Sequence, residues 1–200
     1  MPFFAGKYLP FTKVCALNFA DAYNPGGLVF KGELTQEEDL CRCSNLYESL
    51  VNDECMDEYY DYNISLNRDI FSDRVIYSKD VFVYRSSPDY RFIDNPVRCD
   101  IITCPAPLAF SIESEEEYYK IILNRIRGMI RVIAHNEVKT IVLGAWGCGA
   151  FGGDAYLVGR AFAEVLSEIR YFDTVYFSVR DSKNVDNFSR LKDGYDSFIA

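Results

Sequence analysis

Histidine is almost missing from this sequence: His135 is the only one in 200 residues. Any Ser-His-Asp or Cys-His catalyst would have to be built on it. It stands beside Asn136, late in a helical pattern, where a last-turn cation suits a helix C-terminus. There is no second histidine and no C-x-x-C pair; only Arg42 separates Cys41 from Cys43. That excludes the usual zinc spacings, so no metal and no cofactor is expected. The cysteine count of 7 is odd and its spacing gives no disulfide framework, which predicts reduced thiols in a cytoplasmic protein. Basic residues are few: 21 Lys and Arg face 30 Asp and Glu, for a formal net charge of −9. A nucleic-acid backbone is therefore not an expected partner, since such binding runs on clustered cations. A small anion remains open, because backbone N–H groups bind anions without net positive charge. No apolar run reaches the ~18 residues that span a membrane. The opening MPFFAGKYLPF lacks the long apolar core of a signal peptide. No repeat, low-complexity tract or linker interrupts the chain, so one domain over 1–200 is expected.

What is present is a succession of apolar segments. VCALNFA (14–20) has the character of a buried strand and runs into the turn signal Asn24-Pro25-Gly26-Gly27. From Gln36, residues Leu40, Cys43, Tyr47, Leu50 and Val51 keep helical spacing. Residues 53–74 are acidic and tyrosine-rich without a clear period. RVIYSKDVFVYR (74–85) reads as two β segments joined in a hairpin at Ser78-Lys79-Asp80. VRCDIITCPAP (97–107) is a strand stopped by Pro105. Ser114 and Glu117 form an S-x-x-E capping box, and Ile122, Ile126, Met129, Ile130 and Ile133 follow as one apolar stripe. KTIVLGAW (139–146) is a buried strand, 157–169 an amphipathic helix, DTVYFSVR (173–180) a strand, and 184–198 a short helix. About six strands interleaved with helices predict an α/β fold with a mixed sheet.

Two stretches carry candidate chemistry. GCGAFG (147–152) is a G-x-G-x-x-G lying between a strand and a helix. A dinucleotide-binding fold usually opens with this motif, and here fewer than 50 residues follow it. The loop still offers bare N–H groups at the mouth of a helix, which suit a phosphate or pyrophosphate. A glycine turn with no ligand is the plainer alternative. NPGGLVFKGELTQEEDL (24–40) joins a Gly-Gly turn to Glu37, Glu38 and Asp39. Thr35 and Glu38 fit a T-x-x-E capping box, which explains Glu38 without any function. Paired carboxylates beside an anion-binding loop also suit glycosidic chemistry, one acid protonating the leaving oxygen.

The blocks LNFADAYNPGG…QEEDLCRCSNLY, RVIYSKDVFVYR, TCPAP and VLGAWGCGAFGGD resemble, in matching order over about 14–180, the bacterial-type poly(ADP-ribose) glycohydrolases. The resemblance implies a macrodomain fold, a three-layer α/β/α arrangement about a mixed sheet of about six strands. It implies cleavage of the ribose–ribose O-glycosidic bond of poly(ADP-ribose), with ADP-ribose, poly(ADP-ribose) and ADP-ribosylated macromolecules as partners. The family signature is three glycines, a six-to-eight-residue spacer and Gln-Glu-Glu; here Val29 to Thr35 form the spacer. By resemblance Glu38 is the catalytic acid and Glu37 holds the ribose hydroxyls. Gly26 and Gly27 line the distal ribose and pyrophosphate, and Asn24 lies at the ligand's edge. Gly147, Cys148, Gly149 and Ala150 match the diphosphate loop, and Phe151 the aromatic near the distal ribose. Two departures stand out. Leu28 replaces the third glycine, and the segment before the LNFA strand is shorter than family members usually carry. The Leu28 departure keeps two alternatives open: an ADP-ribose-binding module with little turnover, and a hydrolase of another ADP-ribosyl linkage.

Overall fold

A computed structural model describes residues 13–181 and 186–199. The opening stretch read above for a signal sequence, and the first residues of the tail helix, lie outside them. The chain forms two compact units, Met1–Arg68 with Arg74–Pro105, and Asp69–Asp73 with Ala106–Ala200. The fold is α/β, with five strands among the described residues where about six were expected.

In the first unit β1 (Val14–Phe19) runs parallel to β3 (Phe92–Cys104), with Cys15 opposite Asp100 and Phe19 opposite Cys104. Parallel strands are covered on both faces, and residues 99–104 are accordingly all buried. β3 ends where Pro105 follows, as expected. The difference in strand count arises at β2 (Ile76–Arg85), which is one strand antiparallel to β3. Its register shifts between Ser78 and Val81, and Asp80 adopts φ 52°. The expected hairpin is thus a bulge: one extra residue is absorbed without reversing the chain. The buried Asp100 carboxylate fixes it, accepting from the Asp80 amide at 2.9 Å, the Tyr77 hydroxyl and the Lys13 ammonium.

The helix expected from Gln36 to Val51 is two, α1 (Gln36–Cys43) and α2 (Leu46–Leu50). Ser44 breaks it with an extended backbone, φ −144° and ψ 179°, and bridges to Val83 of β2. Its hydroxyl donates to the Leu40 carbonyl at 2.6 Å and accepts from the Leu46 amide at 3.1 Å, which satisfies groups the break would orphan. The tyrosine-rich stretch is also helical: α3 (Asp53–Cys55), a π-helical segment Met56–Asp61, and α4 (Tyr62–Leu66). A π segment bonds five residues back rather than four, so its apolar positions, Tyr59 and Tyr60, do not fall on the ordinary helical period.

In the second unit α5 (Glu115–His135) starts as expected, the Ser114 hydroxyl accepting from the Glu117 amide at 3.1 Å. Ile122, Ile126, Met129, Ile130 and Ile133 are buried, each contributing about 1.5–3 kcal/mol as an upper bound. His135 sits exposed in the last turn. Arg125, on the same helix, is buried and holds the 69–73 segment through Asp73 at 3.0 Å and the Ile70 carbonyl at 2.8 Å. β4 (Thr140–Leu143) and β5 (Thr174–Phe177) are parallel and separated in sequence by α6 (Ala155–Glu168), a β-α-β unit. α7 (Asn187–Ile199) lies against α6 at glycine contacts. A Cβ on Gly159 would stand 2.0 Å from the Leu191 carbonyl oxygen, and one on Gly194 would stand 1.9 Å from that of Tyr156.

This contact generates a prediction with a contested sign. Alanine in a helix interior normally gains about 1 kcal/mol over glycine. Here the added methyl meets backbone, which cannot rotate away, and overpacking of that kind costs about 1–3 kcal/mol or more. Gly194→Ala should therefore lower stability on urea unfolding; a more stable variant would disprove the backbone contact.

Candidate active site

Glu37 and Glu38 open the first turn of α1, where acids complement the helix dipole. Both are buried, at 2% and 4% exposure. Two adjacent carboxyls cannot be buried without donors, and each has two. The Asn18 side-chain amide donates to Glu37 Oε1 at 3.0 Å and the Asp21 backbone amide to Oε2 at 2.7 Å. The Leu28 amide donates to Glu38 Oε1 at 2.8 Å, and the Thr35 hydroxyl donates to Glu38 Oε2. The expected capping box is not formed. Thr35 occupies the N-cap position, but its side chain makes no capping bond and is engaged with the Glu38 carboxyl instead.

Gln36 explains how the pair is aimed. Its amide nitrogen donates to the Leu17 carbonyl at 2.7 Å, and its amide oxygen accepts from the Phe19 amide at 2.8 Å. The side chain thus behaves as one more peptide group at the end of β1 and pins the first turn of α1 there. Asn18 lies between those two residues, fully buried, and its amide also donates to Thr103 Oγ1 at 3.2 Å. Gln36, Asn18, Asp21 and Thr35 were not among the expected site residues. The available signal was Asn18 itself, a polar residue inside an apolar strand, since buried polar groups need partners.

The turn preceding α1 is held by the Asp21 carboxylate, which accepts from the Tyr23 amide at 2.7 Å and the Asn24 amide at 3.0 Å. The Asn24 side chain donates to it at 3.1 Å, so within the turn Asn24 is a structural partner. Gly26 and Gly27 have φ of 67° and 61°. A Cβ on Gly27 would stand 2.4 Å from Glu38 Oε1 and 3.2 Å from Glu37 Oε2, so only glycine lets the backbone lie against both carboxyls. Leu28 has φ −103°, outside the left-handed region, so its replacement of the third glycine carries no backbone strain. A short 3₁₀ turn, Val29–Lys31, follows, with Phe30 and Leu34 exposed. Burial pushes the Glu37 carboxyl up from 4.5 to about 8, against the two hydrogen bonds that favour its anion.

The second glycine loop belongs to the second unit and leads into α6. Gly147 has φ 77°, and a Cβ there would stand 2.6 Å from that of Ala106. The Gly153 amide donates to the Gly147 carbonyl at 2.9 Å and the Gly152 amide to that of Gly149 at 3.0 Å, closing the loop. Among the described residues the amides of Gly149, Ala150 and Phe151 meet no acceptor. Gly149 itself faces open space. Phe151 is half-buried, its ring 6.1 Å from that of Phe71. Burial, followed by Asp154, pushes the Cys148 thiol up to about 12, which rules it out as a nucleophile at neutral pH. The structure thus brings Gly26, Gly27, Glu37 and Glu38 together, with Asn24 in the same turn, and keeps Gly147 to Phe151 as a separate contiguous loop. Among the described residues no cluster of His, Cys, Asp and Glu could hold a metal ion. Among them too, no helix is long and apolar enough to cross a membrane.

The microbial-type poly(ADP-ribose) glycohydrolase catalytic domain matches residues 6–86. The poly(ADP-ribose) glycohydrolase of Thermomonospora curvata is 31% identical with a TM-score of 0.84, over 94% of this chain and 69% of that one. A second structure of it, bound to the inhibitor ADP-HPD, has a TM-score of 0.82 at 31% identity, over 94% and 71%. The enzyme of Deinococcus radiodurans, in complex with ADP-ribose, is 36% identical with a TM-score of 0.81, over 94% and 76%. Comparison with curated protein sequences gives no match. At this identity and coverage the chain belongs to the bacterial-type poly(ADP-ribose) glycohydrolase family and has its macrodomain-like α/β fold.

Proposed function

We propose that this protein hydrolyses the ribose–ribose O-glycosidic bond of poly(ADP-ribose) and releases ADP-ribose. The observation that carries the reading is Glu38, a buried carboxyl with a donor on each oxygen and the Gly27 backbone laid against it. Relatives bind ADP-ribose and ADP-HPD, which supports the ligand class. Protonated Glu38 gives its proton to the leaving ribose oxygen as the C1–O bond breaks. The resulting carboxylate takes a proton from water, whose oxygen bonds to C1, so one water is consumed and Glu38 is restored. Glu37 positions the ribose. A carboxyl pushed up to about 8 is neutral at pH 7 and presents one O–H donor and one acceptor, which matches a pair of ribose hydroxyls. The free amides of Gly149, Ala150 and Phe151 take the diphosphate. No step calls for a metal or redox cofactor. We also infer a cytoplasmic location, which the free cysteines support.

The binding-module and altered-linkage alternatives rested on Leu28, and its ordinary backbone removes the strain argument for them. Glu38→Gln separates the readings directly. If Glu38 is the acid, the variant should bind ADP-ribose normally by calorimetry while turnover falls by a factor on the order of 10²–10⁴. Near-normal turnover would refute the assignment; binding without turnover in the unmodified protein would favour the module.

Gly149→Phe tests the second loop. The glycine faces open space, so unfolding should be unchanged while ADP-ribose affinity drops by about tenfold or more, ~1.4 kcal/mol. Undiminished affinity would exclude this loop from the ligand.

Glu37 adds a pH signature. As pH rises above 4.5 the unfolded chain loses this proton, while the folded protein keeps it to about 8. The folded state binds more protons over that window, so this stability is full below the window and lost across it. Glu37→Gln has no such titration. The stability of the wild type relative to Glu37→Gln should fall between about pH 4.5 and 8, measured by urea unfolding at both ends. A flat difference would mean that Glu37 is ionised throughout.

A further inference from the structure

Thr35 has a hydroxyl that helix formation does not use. It stands at the N-cap of α1, yet makes no capping bond; only its backbone carbonyl serves the helix, accepting from the Asp39 amide at 3.0 Å. The hydroxyl instead donates to Glu38 Oε2. The other oxygen, Oε1, accepts from the Leu28 backbone amide at 2.8 Å. These two partners differ in kind. An amide N–H can only donate. A hydroxyl donates or accepts and rotates between the two.

A general acid must exist as both carboxylic acid and carboxylate. As carboxylate, Glu38 is served by both donors. As acid, a proton on Oε1 would leave the Leu28 N–H only the weaker lone pair of a hydroxyl oxygen. A proton on Oε2 meets a hydroxyl that can turn and accept it. We propose that Thr35 is a positioning residue for the reaction, its reversible hydroxyl confining the Glu38 proton to Oε2 and stabilising the carboxylate when that proton leaves. The inference rests on the reading of Glu38 as the acid. The burial around Glu38 makes the returned donor matter: the carboxyl is 4% exposed, and Glu37 lies beside it against the same glycine. Thr35 itself is exposed, which leaves its hydroxyl free to rotate.

The test compares wild type, Thr35→Val and Thr35→Ser on two substrates. One is poly(ADP-ribose), whose leaving ribose oxygen needs a proton. The other is an ADP-ribose glycoside of 4-nitrophenol, which departs as a phenolate without one. Thr35→Val keeps the shape and removes the hydroxyl. Its kcat on poly(ADP-ribose) should fall on the order of 10- to 100-fold, the worth of a hydrogen bond to a charged group, with KM unchanged. Thr35→Ser should restore kcat, and the deficit should be several-fold smaller on the nitrophenyl substrate, where Glu38 has only the proton of water to take. The urea midpoint should fall for Thr35→Val, because the buried Glu38 oxygen loses its donor, and should return with Thr35→Ser. A Thr35→Val enzyme as fast as wild type would overturn the inference. So would a slow serine variant, an equal deficit on both substrates, or a loss confined to stability. Each of these leaves the function of Glu38 standing. A wild type that turns over neither substrate would sink the glycohydrolase reading and this inference with it.

Discussion

Two adjacent carboxyls are buried in one helical turn, and much of the first unit follows from that constraint. An unpartnered buried carboxylate is costly enough to change its protonation state or unfold its surroundings. Glu37 and Glu38 therefore demand four donors from fixed directions. Those donors come from the strand (Asn18), the turn (Asp21), the glycine loop (Leu28) and the helix cap (Thr35). Each part of the 14–38 segment is thereby held at a set distance from the others. Gln36 completes the arrangement by joining the end of β1 as a peptide-like group. Moving any one part would strand a carboxyl oxygen, so the carboxyl pair and the local fold are specified by the same bonds.

The two carboxyls differ because their donors differ. Those of Glu37 are an amide side chain and a peptide N–H, both internal to the protein, and burial outweighs them. Glu38 has one fixed donor and one rotatable hydroxyl from an exposed residue. Glu37 is thereby pushed toward its neutral form, while Glu38 keeps one partner able to donate or accept. Neighbouring carboxylates with different environments are a common way to divide binding from acid–base work.

Much of this was legible in the sequence where a residue's effect is local. The apolar stripe of α5 and the Ser114 cap follow from spacing and one hydroxyl, and the Gly26-Gly27 turn from conformational freedom. What escaped depends on partners distant in sequence. The bulge at Asp80 exists because Asp100, twenty residues on, accepts its amide. The helix breaks at Ser44 because β2 bridges there, and the tyrosine-rich helix hides its period behind a π segment. The T-x-x-E pattern is the instructive failure. Its spacing is right for a cap, but the Leu28 amide and the neighbouring glycine draw the Glu38 carboxyl toward the loop, and the threonine hydroxyl follows it.

Leu28 shows how a signature and its physics can part. Three glycines in a row suggest three positions needing glycine, yet only the first two have positive φ here. The third position contributes its backbone amide, which every residue but proline possesses, and its φ of −103° is open to any side chain. Gly27, by contrast, has no alternative, since a methyl there would collide with the very carboxyl that the Leu28 amide holds. The requirement on position 28 is thus a donor aimed at Glu38, and leucine meets it as glycine would. What leucine adds is a half-buried apolar side chain on the loop beside Glu38, followed by the exposed Phe30 and Leu34. The substitution therefore alters the surface around Glu38 while leaving the hold on its carboxyl in place.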